Sequence, residues 1–182
     1  MNRQIKDDLF RYIGPACNNI FMQWRYFLFT PGFRYIYYLR KTASARYLKY
    51  FWLFLLRHCM CRTGIQIPYQ TQIGPGLRIV HFGSIVVNPG AVIGKNFNIA
   101  QGVLIGNAQG KNKGCPVIGD NVCINANAVV IGGITIGNHV LIAPGAFVNF
   151  DVPDNSIVIG NPGQIIRRDS SPTIKYIVYS LP

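Results

Sequence analysis

A six-residue period runs through most of this chain, and it leaves few folds open. From Ile67 an Ile or Val recurs at every sixth position, at Ile67, Ile73, Ile79 and Ile85. The series slips by two residues and resumes at Val87, Ile93, Ile99 and Ile105. After an interruption it continues at Ile118, Ile124, Val130, Ile136, Ile142 and Val148. All fourteen positions are Ile or Val, although these two types supply only 38 of the 182 residues. Neither a helical period of 3.6 nor a strand alternation of two produces a strict six. A solenoid does, with short flat strands, corners at fixed intervals and the β-branched residue stacked inward on its equivalent one coil away. The next position is small or turn-forming, as at Gly74, Asn88, Gly94, Ala100, Gly106, Gly119, Asn125, Gly137, Ala143 and Asn149. That choice is expected of corners that take positive φ. Three hexads make one triangular coil, so residues 65–153 predict four to five coils.

A coil cannot cover its own ends. The segment before the repeat and the strand around Ser156–Ile166 are the expected caps. The repeat breaks once, at Asn107–Pro116 (N-A-Q-G-K-N-K-G-C-P), which reads as an excursion loop thrown out of the prism. Loops on a rigid scaffold are where function concentrates. The front of the chain has another character: residues 1–63 hold eleven basic side chains against Asp7 and Asp8, and sixteen of the 23 aromatics. Helices are expected over Gln4–Tyr12, Asn19–Phe29 and Phe33 to about Arg62, the last in one or two pieces, broken by Gly14-Pro15 and Pro31-Gly32. The expected fold is mainly β, a parallel β-helix with a short N-terminal α-helical segment. Its parts are a basic, aromatic helical segment (1–63), the β-helix with excursion loop 107–116 (64–168) and a C-terminal tail (169–182).

The formal charge of +12 bounds the partners. A basic, aromatic segment suits an anionic membrane surface or anionic substrates, or is simply a solvated face. No nucleic-acid-binding motif is present, so that partner is not expected. Five cysteines, at 17, 59, 61, 115 and 123, form neither an even framework nor a C-x-x-C pair, and no metal is expected. No signal-peptide pattern is evident, and the most apolar run, Phe51–Leu56, is far short of the roughly 20 residues of a spanning helix. These points favour a reduced, cytoplasmic location, with peripheral contact at the inner membrane face through the N-terminal segment.

Several runs resemble the serine acetyltransferase family, especially its short bacterial members linked to capsule or exopolysaccharide formation. They are His81-Phe-Gly-Ser-Ile-Val-Val, the Ile93-Gly and Ile118-Gly corners, and Val152-Pro153 followed by Gly160-Asn161-Pro162. Pro31-Gly32-Phe33 is similar to the end of that family's helical domain. The resemblance implies left-handed coiling, acetyl transfer from acetyl-CoA to a hydroxyl, and a homotrimer with active sites in the grooves between neighbours. His81 falls on the family's catalytic histidine. Three carboxylates of the family pattern are missing. Val80 stands for the Asp before the histidine, Gln66 for the Asp that orients it, and Ile13-Gly14-Pro15-Ala16 for an R-D-P-A stretch whose Asp contacts serine. Cys115 replaces a second histidine. A zwitterionic amino acid needs a partner for its ammonium group, and burying that charge unpaired is costly. The acceptor expected is therefore a sugar hydroxyl of a capsule, exopolysaccharide or lipid-linked precursor. Serine, feeding cysteine synthesis, is the alternative, with Asp8 or a neighbour as substitute carboxylate. The ending Tyr179-Ser180-Leu181-Pro182 lacks the terminal Ile with which full-length members dock on cysteine synthase.

Attack of an alcohol on a thioester needs a base, and a neutral imidazole serves at neutral pH. Of the three histidines, His58 lies in the aromatic helical region and His139 at a corner where a solvated turn residue is the default. His81 follows Ile79 by two residues and is expected within a strand hexad of the prism wall. From the residues alone a lone histidine on a wall reads more readily as a structural imidazole than as a base; the resemblance makes it the base, with Gln66 or a backbone carbonyl holding its other nitrogen. Gly83 or Gly102 N–H is expected to bind the oxyanion. For CoA, the resemblance implies Ala126 and the Ala143-Pro144 turn along the pantetheine arm and Asn149-Phe150 near the adenine. Arg167, Arg168, Lys111 and Lys113 suit the phosphates, or are solvated charges. Cys115 reads as a loop-lining thiol, since direct transfer needs no acyl-cysteine. A γ-type carbonic anhydrase would need three zinc histidines where the prism has two, and an ice-binding face would need repeated Thr rows.

Overall fold

The computed structural model describes residues 2–110 and 112–182. Four helices come first: α1 (Arg3–Ile13), α2 (Ile20–Phe29), α3 (Pro31–Ser44) and α4 (Lys49–Thr63), with a 3-10 turn at Gly14–Asn18. Asn2 and Asn19 cap α1 and α2 by accepting first-turn N–H groups, and Pro31 opens α3 where its missing N–H costs nothing. The last expected helix is two, parted at Ala45–Leu48. Leu48 takes φ 58°, a break that no Gly or Pro announces. α4 ends at Gly64, left-handed at φ 71°.

Three parallel sheets form the prism. One face carries β1 (Gln72–Ile73), β4 (Val92–Ile93), β7 (Val117–Ile118) and β10 (Thr135–Ile136). The second carries β2 (Arg78–Ile79), β5 (Asn98–Ile99), β8 (Cys123–Ile124), β11 (Leu141–Ile142), β13 (Ser156–Ile159) and β14 (Gln164–Arg167). The third carries β3 (Val86–Val87), β6 (Leu104–Gly106), β9 (Val129–Ile131) and β12 (Phe147–Val148). The register retells the period. Cys123 pairs with Leu141, and Val129 with Phe147, each eighteen residues on, or three hexads. Arg78 pairs with Asn98, twenty on, so the two extra residues of the slip lie between β2 and β3. Val92 pairs with Val117, twenty-five on, because the excursion adds seven. Of the fourteen periodic residues all but Ile73 are buried, each contributing roughly 1.5–3 kcal/mol.

The small residues after the periodic ones do a different job from the one expected. Positive φ falls three places after the Ile instead, at Gly76, Asn96, Gly102, Asn121, Asn127, His139 and Gly145. Gly74, Gly94 and Gly119 are small because coils touch there. A Cβ at Gly74 would meet Gly94 C at 2.7 Å, and one at Gly119 would meet Gly137 C at 2.9 Å.

Side chains of α1 and α3 cap the first coil. Tyr35 Oη accepts from Ile67 N–H and donates to Ile67 O, both 2.9 Å, and Tyr12 Oη does the same at Ile79. Arg40 donates to Ile73 O (2.8 Å) and Gly74 O (2.6 Å) and pairs with Asp8 (2.9 Å). Asp8 Oδ1 accepts from Gly76 N–H (2.9 Å) and Leu77 N–H (2.8 Å). These bonds occupy backbone groups that an open sheet edge would leave unpaired. At the other end β14 runs antiparallel to β13 and closes the second face. The C-terminal tail straps that face: Asn98 Nδ2 donates to Tyr176 O and Asn96 Nδ2 to Leu181 O, both 2.9 Å.

Candidate active site

His81 is exposed and sits at a corner, not in a strand: β2 ends at Ile79, and Val80–Ser84 form the two-residue-longer turn into β3. Gly83 (φ 126°) and Ser84 (φ 48°) shape that turn. Three helices fix it. Tyr12 of α1 clamps Ile79, Gly32 of α3 lies where an added Cβ would be 3.1 Å from Ile79 Cβ, and the Gly64 cap of α4 meets Ser84 N at 2.8 Å by the same measure. The turn and the α2–α3 junction enclose a cleft of about 260 Å³, lined by Phe29, Thr30, Pro31, Gly32, Val80, His81 and Phe82.

The sequence-expected residues fall into three places. Ala126 and Ala143-Pro144 continue the corner that carries His81, tied by Gly102 N–H to Gly83 O (3.1 Å), Asn127 N–H to Gln101 O (3.0 Å) and Gly145 N–H to Ala126 O (2.9 Å). This ridge, with Gly102, Ala126, Ala143 and Gly145 among its residues, leads away from the imidazole. Asn149 and Phe150 lie one face away, at the corner from which the excursion loop springs. The loop is pinned by an Ala108–Gly114 bridge, and Asn112 donates to Asn149 O. Lys113 lies on this loop; Lys111 lies outside the described residues. Cys115 Sγ is 3.3 Å from Asn88 Oδ1 at that second corner, so within one chain the third face separates it from His81. Arg167 and Arg168 are exposed at the end of β14.

Gln66 is exposed on the third face, bridged to Val86, and no hydrogen bond joins it to His81 among the described residues. Gly102 N–H is committed to Gly83 O, which removes it as an oxyanion donor, whereas Gly83 N–H has no backbone partner among the described residues. Asp8 is fully buried, and burial pushes its carboxyl above the usual carboxylate range while Arg40 and the Leu77 and Gly76 N–H groups oppose that. Both of its oxygens are engaged in the cap, so it is no substitute carboxylate for an ammonium group. His139 is a corner residue at φ 56°, its Nδ1 3.0 Å from Ser171 Oγ. The cap residues Tyr12, Tyr35 and Arg40 escape sequence reasoning; their only signal is polar groups on the same buried faces of α1 and α3 as Ile5, Leu9, Phe33, Ile36 and Leu39.

Comparison with known proteins adds to this geometry. The family model described as bacterial transferase hexapeptide (six repeats) matches residues 115–149. A serine acetyltransferase of Staphylococcus xylosus is 44% identical over 109 residues, 59% of this chain and 50% of that protein. WcaB of Escherichia coli K12, provisionally named a colanic acid biosynthesis acetyltransferase, is 38% identical over 105 residues, 58% of this chain and 65% of that protein. The alignments thus span about half of one curated relative and under two thirds of the other. The crystal structure of Neisseria gonorrhoeae serine acetyltransferase superposes at TM-score 0.73 with 30% identity, covering 96% of this chain and 69% of that one. The shared fold gives the coil its hand: the prism is a left-handed parallel β-helix.

Proposed function

Since this chain belongs to the serine acetyltransferase-like family of hexapeptide-repeat acyltransferases, we propose that it is an O-acetyltransferase moving the acetyl group of acetyl-CoA onto an acceptor hydroxyl. The observation that carries the reading is His81, exposed at the mouth of a cleft and at the head of the small-residue ridge through Ala126 and Pro144. The pantetheine arm lies along that ridge with its thioester at His81. The imidazole takes the acceptor proton as the alkoxide oxygen bonds to the carbonyl carbon. Gly83 N–H faces the oxyanion, and collapse of the tetrahedral adduct breaks the C–S bond and returns the proton to the CoA sulfur. Arg167, Arg168, Lys111 and Lys113 serve the CoA phosphates, and Asn149-Phe150 the adenine.

Among the described residues those CoA groups occupy three separate places on one prism, the His81 ridge, the loop corner and the end of β14, which favours a homotrimer in which one chain's His81 corner meets a neighbour's loop corner. The outward side chains of the third face support such packing, because Val86, Leu104, Val129 and Phe147 form an apolar row on a surface strand stack. The acceptor we propose is a sugar hydroxyl of a capsule, exopolysaccharide or lipid-linked precursor. The likeness to WcaB supports it, and so does the engagement of Asp8, which leaves the ammonium of free serine without that partner. Serine acetylation is the second reading, favoured by the 44% identity to the staphylococcal enzyme. A CoA-release screen of free serine against nucleotide sugars and oligosaccharides, with H81A as control, tests both. Turnover confined to serine overturns the sugar reading, and undiminished turnover in H81A overturns the base.

A further inference from the structure

From the helical surface beside the cleft, we infer that the protein docks on anionic phospholipid bilayers through the outer faces of α2 and α4. α2 buries none of its residues, and Ile20, Phe21, Trp24, Leu28 and Phe29 share one exposed face with Arg25. Phe21 is 70% exposed, Trp24 58% and Phe29 78%. On α4 the exposed residues other than Lys49, whose ammonium lies 4.9 Å from the Tyr69 ring centroid, are Tyr50, Phe51, Phe54, Arg57, His58, Cys61 and Arg62, which is one helical stripe, apolar in its first turns and basic in its last. The two faces form one surface. A groove of about 360 Å³ runs between them, floored by Phe27, Tyr37 and Trp52, whose rings stand edge to face.

Charge selects the occupant. From residue 9 to residue 119 the chain has no Asp or Glu, while Arg25, Arg46, Arg57 and Arg62 are all exposed around the apolar surface. A second copy meeting this face with the same face would oppose basic side chains with no acid among them. The acids elsewhere offer little to a different contact, because Asp8, Asp120, Asp151 and Asp154 already accept backbone N–H groups. Nucleic acid would satisfy the charge but gives Phe21, Leu28 and Phe54 no apolar phase to enter. An anionic bilayer satisfies both, with aromatics at the headgroup boundary and arginines on the phosphates.

The surface ends at the candidate site. Phe29 lines the His81 cleft, and α4 delivers its Gly64 cap onto Ser84 of the His81 turn. Docking therefore sets the cleft at the headgroup plane, where an acceptor carried on a lipid would present its sugar. The docking stands without the acetyl-transfer reading; only the remark on the acceptor rests on it.

The test is flotation of the full chain with phosphatidylcholine vesicles, with and without about 30 mol % phosphatidylglycerol. Binding to the anionic vesicles, its reversal by salt, and weak binding to neutral ones are expected. F21S/W24S/F54S and R57S/R62S should each lower partition about tenfold or more with circular dichroism and oligomeric state unchanged. No flotation, or equal partition onto both vesicle types, overturns the proposal. A change of oligomeric state in F21S/W24S/F54S, or tighter retention of the wild type by RNA than by vesicles, also overturns it, the first in favour of an interface between copies. None of these readouts requires acetylation, so a failed CoA-release screen leaves them interpretable.

Discussion

The hydroxyl of Tyr12 stands 2.9 Å from both the N–H and the carbonyl of Ile79, accepting from one and donating to the other, two residues before His81. It imitates, with one oxygen, the strand that a further coil would have supplied. Tyr35 makes the same pair of bonds to Ile67, on the third face and away from the His81 turn. Tyr12→Phe and Tyr35→Phe therefore remove equal chemistry from different places. Each is expected to lower stability by about 1–3 kcal/mol, since two backbone groups lose their partner. Only Tyr12→Phe should also lower kcat of the folded enzyme, because only it frees the backbone that carries His81. Denaturant titration and steady-state kinetics on both variants decide this; equal loss of kcat would remove the positioning role of Tyr12.

The same two hydroxyls predict how the fold responds to alkali. Burial pushes both phenols well above the ordinary value of 10.0, Tyr35 lying fully out of solvent. A folded pKa above the unfolded one gives stability that is complete below pH 10 and is lost as pH rises past it, because only the unfolded chain releases the proton. At about pH 11 the loss approaches about 1.4 kcal/mol per tyrosine. Arg11, lowered to about 10 by burial, has the opposite slope in this range. Comparing wild type with Tyr35→Phe at about pH 8 and about pH 11 cancels the arginine. The variant's deficit should shrink at the higher pH, and an unchanged deficit would refute the buried-phenol account.

Asp8 and Arg40 predict a third outcome. Asp8→Asn leaves the Arg40 guanidinium, itself buried, without its counter-charge, while Gly76 and Leu77 lose a charged acceptor. A loss of about 3 kcal/mol is expected, as for other broken buried pairs. Arg40→Met should cost a similar amount, and the double variant much less than the sum of the two. Additive losses, measured by urea unfolding, would show that the pair does not act as one cap.

What is legible in the sequence and what is not follow from one physical distinction. The hexad is a local rule repeated, so the fourteen inward positions, the excursion and the existence of a two-residue slip are readable from spacing. The same spacing nonetheless puts His81 in a wall, because a slip reveals that residues are added and not where they bulge; Gly83 and Ser84 absorb them at the corner. The small residues after each Ile read as turn formers, whereas Gly74 and Gly119 are demanded by contact between coils. The cap is invisible: Tyr12, Tyr35, Arg40 and Asp8 meet partners 32 to 69 residues away, and no period links them. The broken helix at Leu48 lacks any Gly or Pro to mark it.

Gln66 and His81 carry the last prediction. Gln66 is exposed on the face that begins where the His81 turn ends, and it occupies the place of an orienting carboxylate in the family pattern. An amide stabilises an imidazolium less than a carboxylate does, so Gln66→Asp should raise kcat if that side chain holds the ring. His81→Asn should lower kcat by about 10²- to 10⁴-fold, the range of a lost general base. Because His81 is exposed and makes no side-chain hydrogen bond among the described residues, His81→Asn should leave the unfolding midpoint and the acetyl-CoA affinity close to wild type. CoA release, denaturant titration and calorimetric titration with acetyl-CoA separate the cases. If Gln66→Asp is slower than wild type while His81→Asn is inactive, the base stands and its orienting partner is a backbone carbonyl. If His81→Asn loses acetyl-CoA affinity in step with kcat, the imidazole is a binding group and the proton is taken elsewhere.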